Sequence, residues 1–204
     1  MQQTPPFAAI ILCGGESRRM GRAKATLPWH GQTLLEHVAV TLAPIAAPII
    51  VVAAPEQEIP VLPVDVTIVR DSIAGEGPLR GLEAGLSALV GRAEVSFVCG
   101  CDMPELSPTL ITKLAALLGK HTALVIDDAG HWQPLHAFYR IDLLSALLAA
   151  LASGERSPQR WLRTLEPLVV ATESLRENEA ELRSWRNVNT PEEYERLEKL
   201  QRFE

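Results

Sequence analysis

A short stretch near the amino end combines glycine, arginine and lysine at spacings that suit anion binding. The apolar run 7–12 is short enough for one buried strand, and Gly14 and Gly15 follow it closely. Glycine lacks a Cβ, so its backbone can adopt positive φ and bring N–H groups close to a phosphate. Cationic side chains such as Arg19 and Lys24 would neutralise the phosphate charge. The pattern predicts a phosphate-binding loop, with a basic surface loop as the alternative interpretation.

Two common phosphate-binding motifs do not fit this loop. A Walker A motif needs Gly, four residues and Gly-Lys-Ser/Thr, whereas five residues separate Gly15 from Gly21 and Arg22 follows. The dinucleotide fingerprint G-x-G-x-x-G also fails, because the glycines stand at 14, 15 and 21. The sequence therefore indicates a phosphate site of a different kind from these two.

Length and composition narrow the class of protein. The chain has 204 residues, 47% of them hydrophobic, with 19 basic and 25 acidic residues that give a net charge of -6. We expect a single domain over 1–204, with no nucleic-acid binding, because such proteins normally carry a basic surplus. No apolar stretch approaches the ~20 residues that cross a bilayer, and residues 1–6 do not resemble a signal peptide. We therefore expect a cytoplasmic protein with reduced, buried cysteines and no membrane contact.

Apolar runs and helical periodicities alternate along most of the chain. This alternation predicts an α/β protein with a mostly parallel sheet between two layers of helices. Strands are predicted at 7–12, 49–53, 66–69, 95–99, 123–126, 135–139 and 167–172, with 127–134 as the connection between the fifth and sixth. Helices are predicted at 33–42, 83–90, 107–118, 142–151, 157–165 and 192–200.

Two aspartates follow predicted strands. Asp71 comes after the third strand, and Asp102 comes after the fourth. Ligands of open α/β sheets usually bind beyond the carboxyl ends of the strands, where these carboxylates would lie. Magnesium favours one or two carboxylates together with waters and phosphate oxygens. Asp102, helped by Asp71, is therefore a candidate metal ligand, although a lone Asp102 could also be an ordinary strand-end carboxylate.

The loop at 12–24, L-C-G-G-E-S-R-R-M-G-R-A-K, resembles the pattern L-A-G-G-x-S-x-R-M-G-x-D-K of the molybdenum cofactor guanylyltransferases. Three further family segments occur in the same order: G-P-L-x-G at 77–81, a C-D-x-P-like turn at 101–104 and N-x-N-T-P-E at 187–192. The matches span residues 8–192, and their combination is far more specific than any one segment. Cys13 stands where the family has alanine, and Ala23 where it has aspartate.

The resemblance implies a Rossmann-like sheet of the nucleotide-diphospho-sugar transferase type, with the nucleotide bound by about 7–106 and the acceptor by about 107–204. It implies magnesium-dependent transfer of GMP from GTP to the phosphate of molybdopterin, with pyrophosphate as the second product. Molybdoenzymes or other cofactor-biosynthesis proteins would be possible partners. The residues implied are Arg19, Lys24 and Asp102 for catalysis, Asp102 for the metal, Asn187 and Asn189 for the acceptor, and Leu12, Cys13, Gly14, Gly15, Lys24, Asp71, Pro78, Leu79, Gly81 and Asp102 for the nucleotide.

Small residues bear on the choice of base. Family members that use guanine tend to have glycine where this chain has Gly15 and Gly81, whereas those that use cytosine tend to have alanine. One feature weakens the preference for guanine: Ala53 and Ala54 stand where the family often has an asparagine. The open alternatives are cytidylyl transfer to the same cofactor, nucleotidyl transfer to a sugar or polyol phosphate, and a non-catalytic nucleotide or cofactor carrier.

Histidine and tryptophan fit structural roles better than catalytic ones. His37 lies on a predicted amphipathic helix and His136 in an apolar strand, so both are expected to be structural. The four tryptophans are expected to pack rather than to stack on a pterin. The implied reaction needs no general base, because an ionised phosphate is already a nucleophile.

Overall fold

A seven-stranded sheet forms the centre of the computed structural model, which describes residues 7–14, 23–71, 76–175 and 183–201. The strands in chain order are β1 Ala8–Leu12, β2 Pro28–Trp29, β3 Gln32–Thr33, β4 Ile49–Ala53, β5 Thr67–Arg70, β6 Val95–Gly100, β7 Ala123–Asp128, β8 His131–Arg140 and β9 Leu168–Ala171. The sheet has the order β5-β4-β1-β6-β8-β7-β9, and β2 and β3 form a separate small hairpin. All five residues of β1 are buried, as its unbroken apolar sequence predicts for a central strand.

Most neighbouring strands run parallel. β1 pairs in parallel with β4 and β6, and parallel pairs also join β4 to β5 and β7 to β9. β8 is the exception, because it runs antiparallel to both β6 and β7. The prediction of a connection over 127–134 was wrong: β7 continues to Asp128 and β8 begins at His131. Ala129 and Gly130 both have positive φ, which is the backbone of a two-residue hairpin turn.

The described residues also form six α-helices: α1 Leu34–Leu42, α2 Pro78–Leu89, α3 Pro108–Leu118, α4 Leu144–Ala152, α5 Pro158–Arg163 and α6 Pro191–Gln201. Ser107 and Ser157 cap α3 and α5 through their side chains, and each is followed by a proline at the first helical position. The sequence placed the start of α2 five residues late. Gly77, with φ of 85°, precedes Pro78, which begins the helix.

Helices cover both faces of the sheet, which confirms the predicted three-layer α/β fold. On one face α1 and α3 pack through residues such as Leu35 and Leu114. On the other face α2, α4 and α5 pack through residues such as Leu86, Leu147 and Trp161. The division into a nucleotide-binding part and an acceptor-binding part stays a prediction. No helix in the described ranges is long and apolar enough to cross a membrane.

A third, smaller apolar cluster joins the β2–β3 hairpin to α6. Its buried members are Leu27, Trp29, Leu34, Val188 and Leu197. Trp29 is fully buried here, and the Tyr194 hydroxyl donates a hydrogen bond to the Pro28 carbonyl. This small cluster thus brings together chain segments that are far apart in sequence.

Candidate active site

The carboxyl ends of β1, β4 and β6 meet at one edge of the sheet. Leu12, the last residue of β1, lies opposite Val52 on one side and Gly100 on the other. Beyond the strands, Cys13 N donates to Val52 O over 2.8 Å and Cys101 N donates to Leu12 O over 3.0 Å. These bonds continue the ladder past the strands, so the start of the glycine loop and the turn that carries Asp102 are neighbours.

A lysine, an aspartate and an asparagine come together at this edge. Lys24 Nζ donates hydrogen bonds to Asp102 Oδ2 over 2.7 Å and to Asn189 Oδ1 over 2.9 Å, although Asn189 is 165 residues further along the chain. The side chains of Lys24 and Asp102 are 19% and 15% exposed, so water screens this ion pair only in part. The three residues are referred to below as the Lys24 cluster.

Two local structures position the lysine. Residues Lys24–Thr26 form a single 3-10 turn, closed by hydrogen bonds from Thr26 N to Ala23 O and from Leu27 N to Lys24 O. Ala25 is fully buried within the turn, so the lysine side chain extends from an anchored backbone. The β2–β3 hairpin follows directly and holds the turn against α6 through Trp29.

The motif at 187–192 is built around the start of α6. Thr190 Oγ1 accepts from Glu193 N, and Glu193 Oε2 accepts from Thr190 N and Asn189 N, which together form a capping box. The second half of the motif therefore caps the start of α6. Val188 N donates to Asp102 O over 2.9 Å and ties this segment to the aspartate turn. That tie leaves the Asn189 side chain beside Lys24.

A cavity of about 150 Å³ opens between these strand ends. Asn187 contributes to its wall, and the Asn187 Oδ1 atom is buried without a hydrogen-bond partner in the described part of the chain. An acceptor atom in this situation is suited to a donor or a cation. The lining residues are Leu12, Cys13, Gly14, Lys24, Pro78, Gly100, Cys101, Asp102, Leu135 and Asn187.

Local contacts explain the positions of several other predicted site residues. Asp71 follows β5 on the outer strand, where its N–H donates to Ala53 O over 2.8 Å. Leu79 lies on α2 and is fully buried in the core. Gly81 allows α2 to approach β1, because a Cβ there would lie 3.2 Å from Leu12 Cδ2. Arg19 and Gly15 lie outside the described residues.

The conformation expected of the glycine loop is not found at Gly14. Its φ lies outside the positive range, and a Cβ there would only make ordinary contact with Ala54 N at 3.8 Å. The expectation of positive φ was therefore wrong for this residue. Gly14 borders the cavity with an ordinary backbone conformation.

Gly100 is a site residue that the sequence analysis missed. A Cβ at this position would overlap Asp102 Oδ1, so only glycine leaves the carboxylate its observed orientation. The position of Gly100 at the end of an apolar strand, two residues before an aspartate, was the available signal.

His37 also supports the turn at 101–104, which carries Asp102. Its Nε2 lies 2.8 Å from the Pro104 carbonyl oxygen, which can only accept, so Nε2 carries the proton. Gln32 Nε2 then donates to His37 Nδ1 over 3.0 Å. Burial lowers the pKa of His37 and favours this neutral ring. The expected structural role of His37 is confirmed.

The other sequence expectations for thiols and indoles also agree with the structure. Cys13, Cys99 and Cys101 are free and buried, and burial raises the pKa of Cys13 and Cys99, so these two thiols stay protonated. Trp29, Trp161 and Trp185 are buried packing residues. Trp132 carries the Arg163 guanidinium 5.0 Å from its ring centre.

The donor set of the site fits magnesium bound together with phosphates. The oxygen atoms at the site belong to the Asp102 carboxylate and to the side-chain amides of Asn187 and Asn189. The described residues contain no group of three or more His, Cys, Asp or Glu side chains that could hold a metal alone. Magnesium commonly uses one or two protein carboxylates and takes its remaining ligands from substrate phosphates and water.

Known proteins resemble this chain in both sequence and structure. The profile of the MobA-like NTP transferase domain matches residues 9–170. A probable molybdenum cofactor guanylyltransferase of Mycobacterium tuberculosis is 42% identical over 196 residues, covering 92% of this chain and 90% of that protein. The corresponding protein of Mycobacterium avium is 40% identical and covers 93% and 94%.

Solved structures also resemble this chain. The crystal structure of molybdopterin-guanine dinucleotide biosynthesis protein A from Archaeoglobus fulgidus has a TM-score of 0.78 and 25% identity, with coverage of 97% of this chain and 100% of that one. The 2-C-methyl-D-erythritol 4-phosphate cytidylyltransferase of Thermus thermophilus shares the fold, with a TM-score of 0.66, 19% identity and coverage of 96% and 99%. The chain thus belongs to the MobA-like NTP transferase domain family and is a nucleotidyltransferase.

Proposed function

We propose that this nucleotidyltransferase transfers GMP from GTP to the phosphate of molybdopterin or the molybdenum cofactor and releases pyrophosphate. The single observation that carries the proposal is the Lys24 cluster, which holds a cation, a carboxylate and an acceptor-side asparagine together beside a cavity at the strand ends. The names of the mycobacterial and archaeal relatives supply the substrate identities.

The proposed chemistry is an in-line exchange at phosphorus. A terminal phosphate oxygen of the acceptor forms a bond to the α-phosphorus of GTP, while the bond from that phosphorus to the bridging oxygen breaks and pyrophosphate leaves. The attacking oxygen is already ionised, so no side chain has to remove a proton. What the protein must supply is the placement of two anions and the neutralisation of their charge.

The residues of the Lys24 cluster suit this task. The Lys24 ammonium can turn from Asp102 to a phosphate oxygen of GTP, since both are anionic partners within reach of one flexible side chain. Asp102 would hold magnesium. Bound magnesium would supply charge neutralisation of the phosphates. Arg19 is proposed to stabilise the pyrophosphate.

The remaining specifics of the proposal concern the base, the acceptor and the surroundings. Guanine is favoured by Gly15 and Gly81 and by the names of the relatives. Asn187 and Asn189 are proposed to face the acceptor, because Asn187 lines the cavity and Asn189 bonds to Lys24 beside it, both on a segment from the C-terminal half. The reaction is placed in the cytoplasm, with a molybdoenzyme or another cofactor-biosynthesis protein as recipient.

Pyrophosphate release tests this function directly. The purified protein is supplied with magnesium, molybdopterin and each of the four nucleoside triphosphates in turn, and the product is identified by mass. We expect release with GTP and a product one GMP heavier than the acceptor. Release with CTP instead would favour the cytidylyl alternative, and turnover only with a sugar or polyol phosphate would replace the acceptor. Nucleotide binding without any turnover would favour a carrier.

Variants of the cluster sharpen this test. Asp102→Asn and Lys24→Met should each lower kcat/KM by about 100-fold or more, as expected for removal of a charge that acts on the reacting phosphates. The matched control is Lys120→Met, an exposed lysine that precedes β7 at the opposite edge of the sheet. The control should retain the activity of the unaltered protein.

A further inference from the structure

A buried hydrogen bond links β8 to the segment that carries Asn187 and Asn189. His136 Nε2 lies 2.8 Å from Ser184 Oγ, and both residues are completely buried. Ser184 Oγ also accepts a hydrogen bond from Ser107 N over 2.9 Å. While it accepts from Ser107 N, the Ser184 hydroxyl can either donate its proton to His136 Nε2 or accept a second hydrogen bond from it, according to the tautomer of the ring.

This bond lies close to the site without touching it. His136 pairs with Cys99 across the sheet, and Cys99 immediately precedes the Gly100 that accommodates Asp102. Ser107 is the residue that caps α3. Ser184 therefore fastens its segment to both a central strand and the start of a helix.

Neighbouring contacts hold the same segment. The Trp185 ring meets the His136 ring edge-on at 6.0 Å, and Trp185 Nε1 donates to Asp128 Oδ2 over 3.0 Å. Arg183 and Glu105 form an ion pair at 3.4 Å. Two residues beyond Trp185 comes Asn187 at the cavity, and Val188 N is bonded to Asp102 O. The segment 183–189 is thus attached at its start by side chains and at its end by the backbone.

The surroundings of His136 are otherwise apolar. Phe97 lies edge-on at 5.0 Å, and Trp185 covers another side of the ring. Because the ring is buried, its pKa falls to about 4. An apolar side chain would fill this position at a lower desolvation cost. We therefore attribute the presence of a histidine here to its hydrogen bond with Ser184.

We propose that the His136–Ser184 bond is a positioning contact for the phosphate acceptor, which it controls by fixing residues 183–189 so that Asn187 and Asn189 face the reacting phosphates. The assignment of these asparagines to the acceptor rests on the proposed function. The placement of residues 183–189 in the structure does not depend on that function.

Ser184→Ala removes the bond while leaving both asparagines in the sequence. Losing a buried hydrogen bond of this kind corresponds to about a tenfold change in an equilibrium. We therefore expect the KM for molybdopterin to rise about tenfold. The KM for GTP should change less than about twofold, because Lys24 and Asp102 lie outside residues 183–189, on the 3-10 turn and on the turn after β6. A general loss of folding would instead lower the active fraction and leave both KM values alone.

Two comparisons distinguish a positioning role of Ser184 from the general effect of removing a buried hydroxyl group. Ser96 is also completely buried and bonds to Tyr139 O, so Ser96→Ala is the matched control and should leave the acceptor KM unchanged. At the other end of the bond, His136→Gln keeps a polar group for Ser184, whereas His136→Leu does not. The Gln variant should lie closer to the unaltered protein in acceptor KM than the Leu variant.

Hydrogen exchange supplies a readout that does not depend on turnover. In Ser184→Ala the amides of 183–189, including the Val188 amide, should exchange about tenfold faster than in the unaltered protein, while those of β6 stay protected. Faster exchange together with a raised acceptor KM supports the proposal. Unchanged exchange, or equal effects on both KM values, overturns it. If the unaltered protein releases no pyrophosphate from any triphosphate, the proposed function fails, and the exchange result still decides whether Ser184 positions the segment.

Discussion

Acid should destabilise this protein through His136 well above the range where carboxylates titrate. The buried ring has a pKa of about 4, whereas the ordinary histidine value is 6.5. Between these values the unfolded chain binds a proton that the folded protein does not, so stability falls as the pH falls. Stability from this group is complete above pH 6.5 and is lost progressively down to pH 4. The integrated loss between pH 7 and pH 5 is about 2 kcal/mol.

The assay is urea denaturation at a series of pH values, for the unaltered protein and for His136→Gln. The free energy of unfolding of the unaltered protein should fall about 2 kcal/mol further between pH 7 and pH 5 than that of the variant. His37 also has a lowered pKa, but it is present in both proteins and cancels in the difference.

Ser96→Ala again serves as the control, and it should show the full pH dependence of the unaltered protein. The reasoning is refuted if His136→Gln and the unaltered protein lose stability in parallel over this pH range. Such parallel curves would mean that the buried ring is protonated in the folded state or that it exchanges protons as it does in the unfolded chain.

Three further substitutions test the packing around the site. In Gly100→Ala the methyl group displaces the Asp102 carboxylate, so kcat/KM should fall about 100-fold in the pyrophosphate assay; activity within twofold of normal would show that the carboxylate has room to turn. In Gly85→Ala the Cβ would lie 2.6 Å from Ile10 Cγ2, so urea denaturation should show a loss of about 2 kcal/mol, and Ile10→Val in the same chain should recover part of it. Glu193→Ala removes the cap of α6 and should lower the free energy of unfolding by about 1 kcal/mol, with no such loss from Glu58→Ala, which alters an exposed glutamate outside the helix.

Local sequence signals account for much of the architecture. Apolar runs placed the strands of the main sheet, and Ser107-Pro108 and Ser157-Pro158 placed the starts of two helices, because capping and proline chemistry act within a few residues. The reversal of β8 was not foreseen, since it depends on positive φ at Ala129, a residue type that does not favour that conformation. Strand direction was therefore decided by a turn with a weak sequence signal.

The site was predictable in outline and not in its contacts. The order of motifs placed Lys24, Asp102 and Asn189 in one pocket on the strength of the resemblance, but no local pattern indicates that Lys24 bonds to both of the others. The bond between Ser184 and His136 likewise joins residues 48 positions apart, and no local sequence pattern indicates it. Such contacts follow from tertiary packing, which single-sequence patterns do not encode.

The small apolar cluster around Trp29 has a consequence for protein synthesis. The ribosome makes the lysine turn early, yet its counterpart Asn189 and the anchoring Val188 and Leu197 are added only after every strand of the main sheet. A nascent chain therefore contains every strand of the main sheet before the Lys24 cluster can form. On the proposed function, competence for catalysis is acquired late in translation, because a chain that stops short of Val188 lacks Asn189, the partner of Lys24.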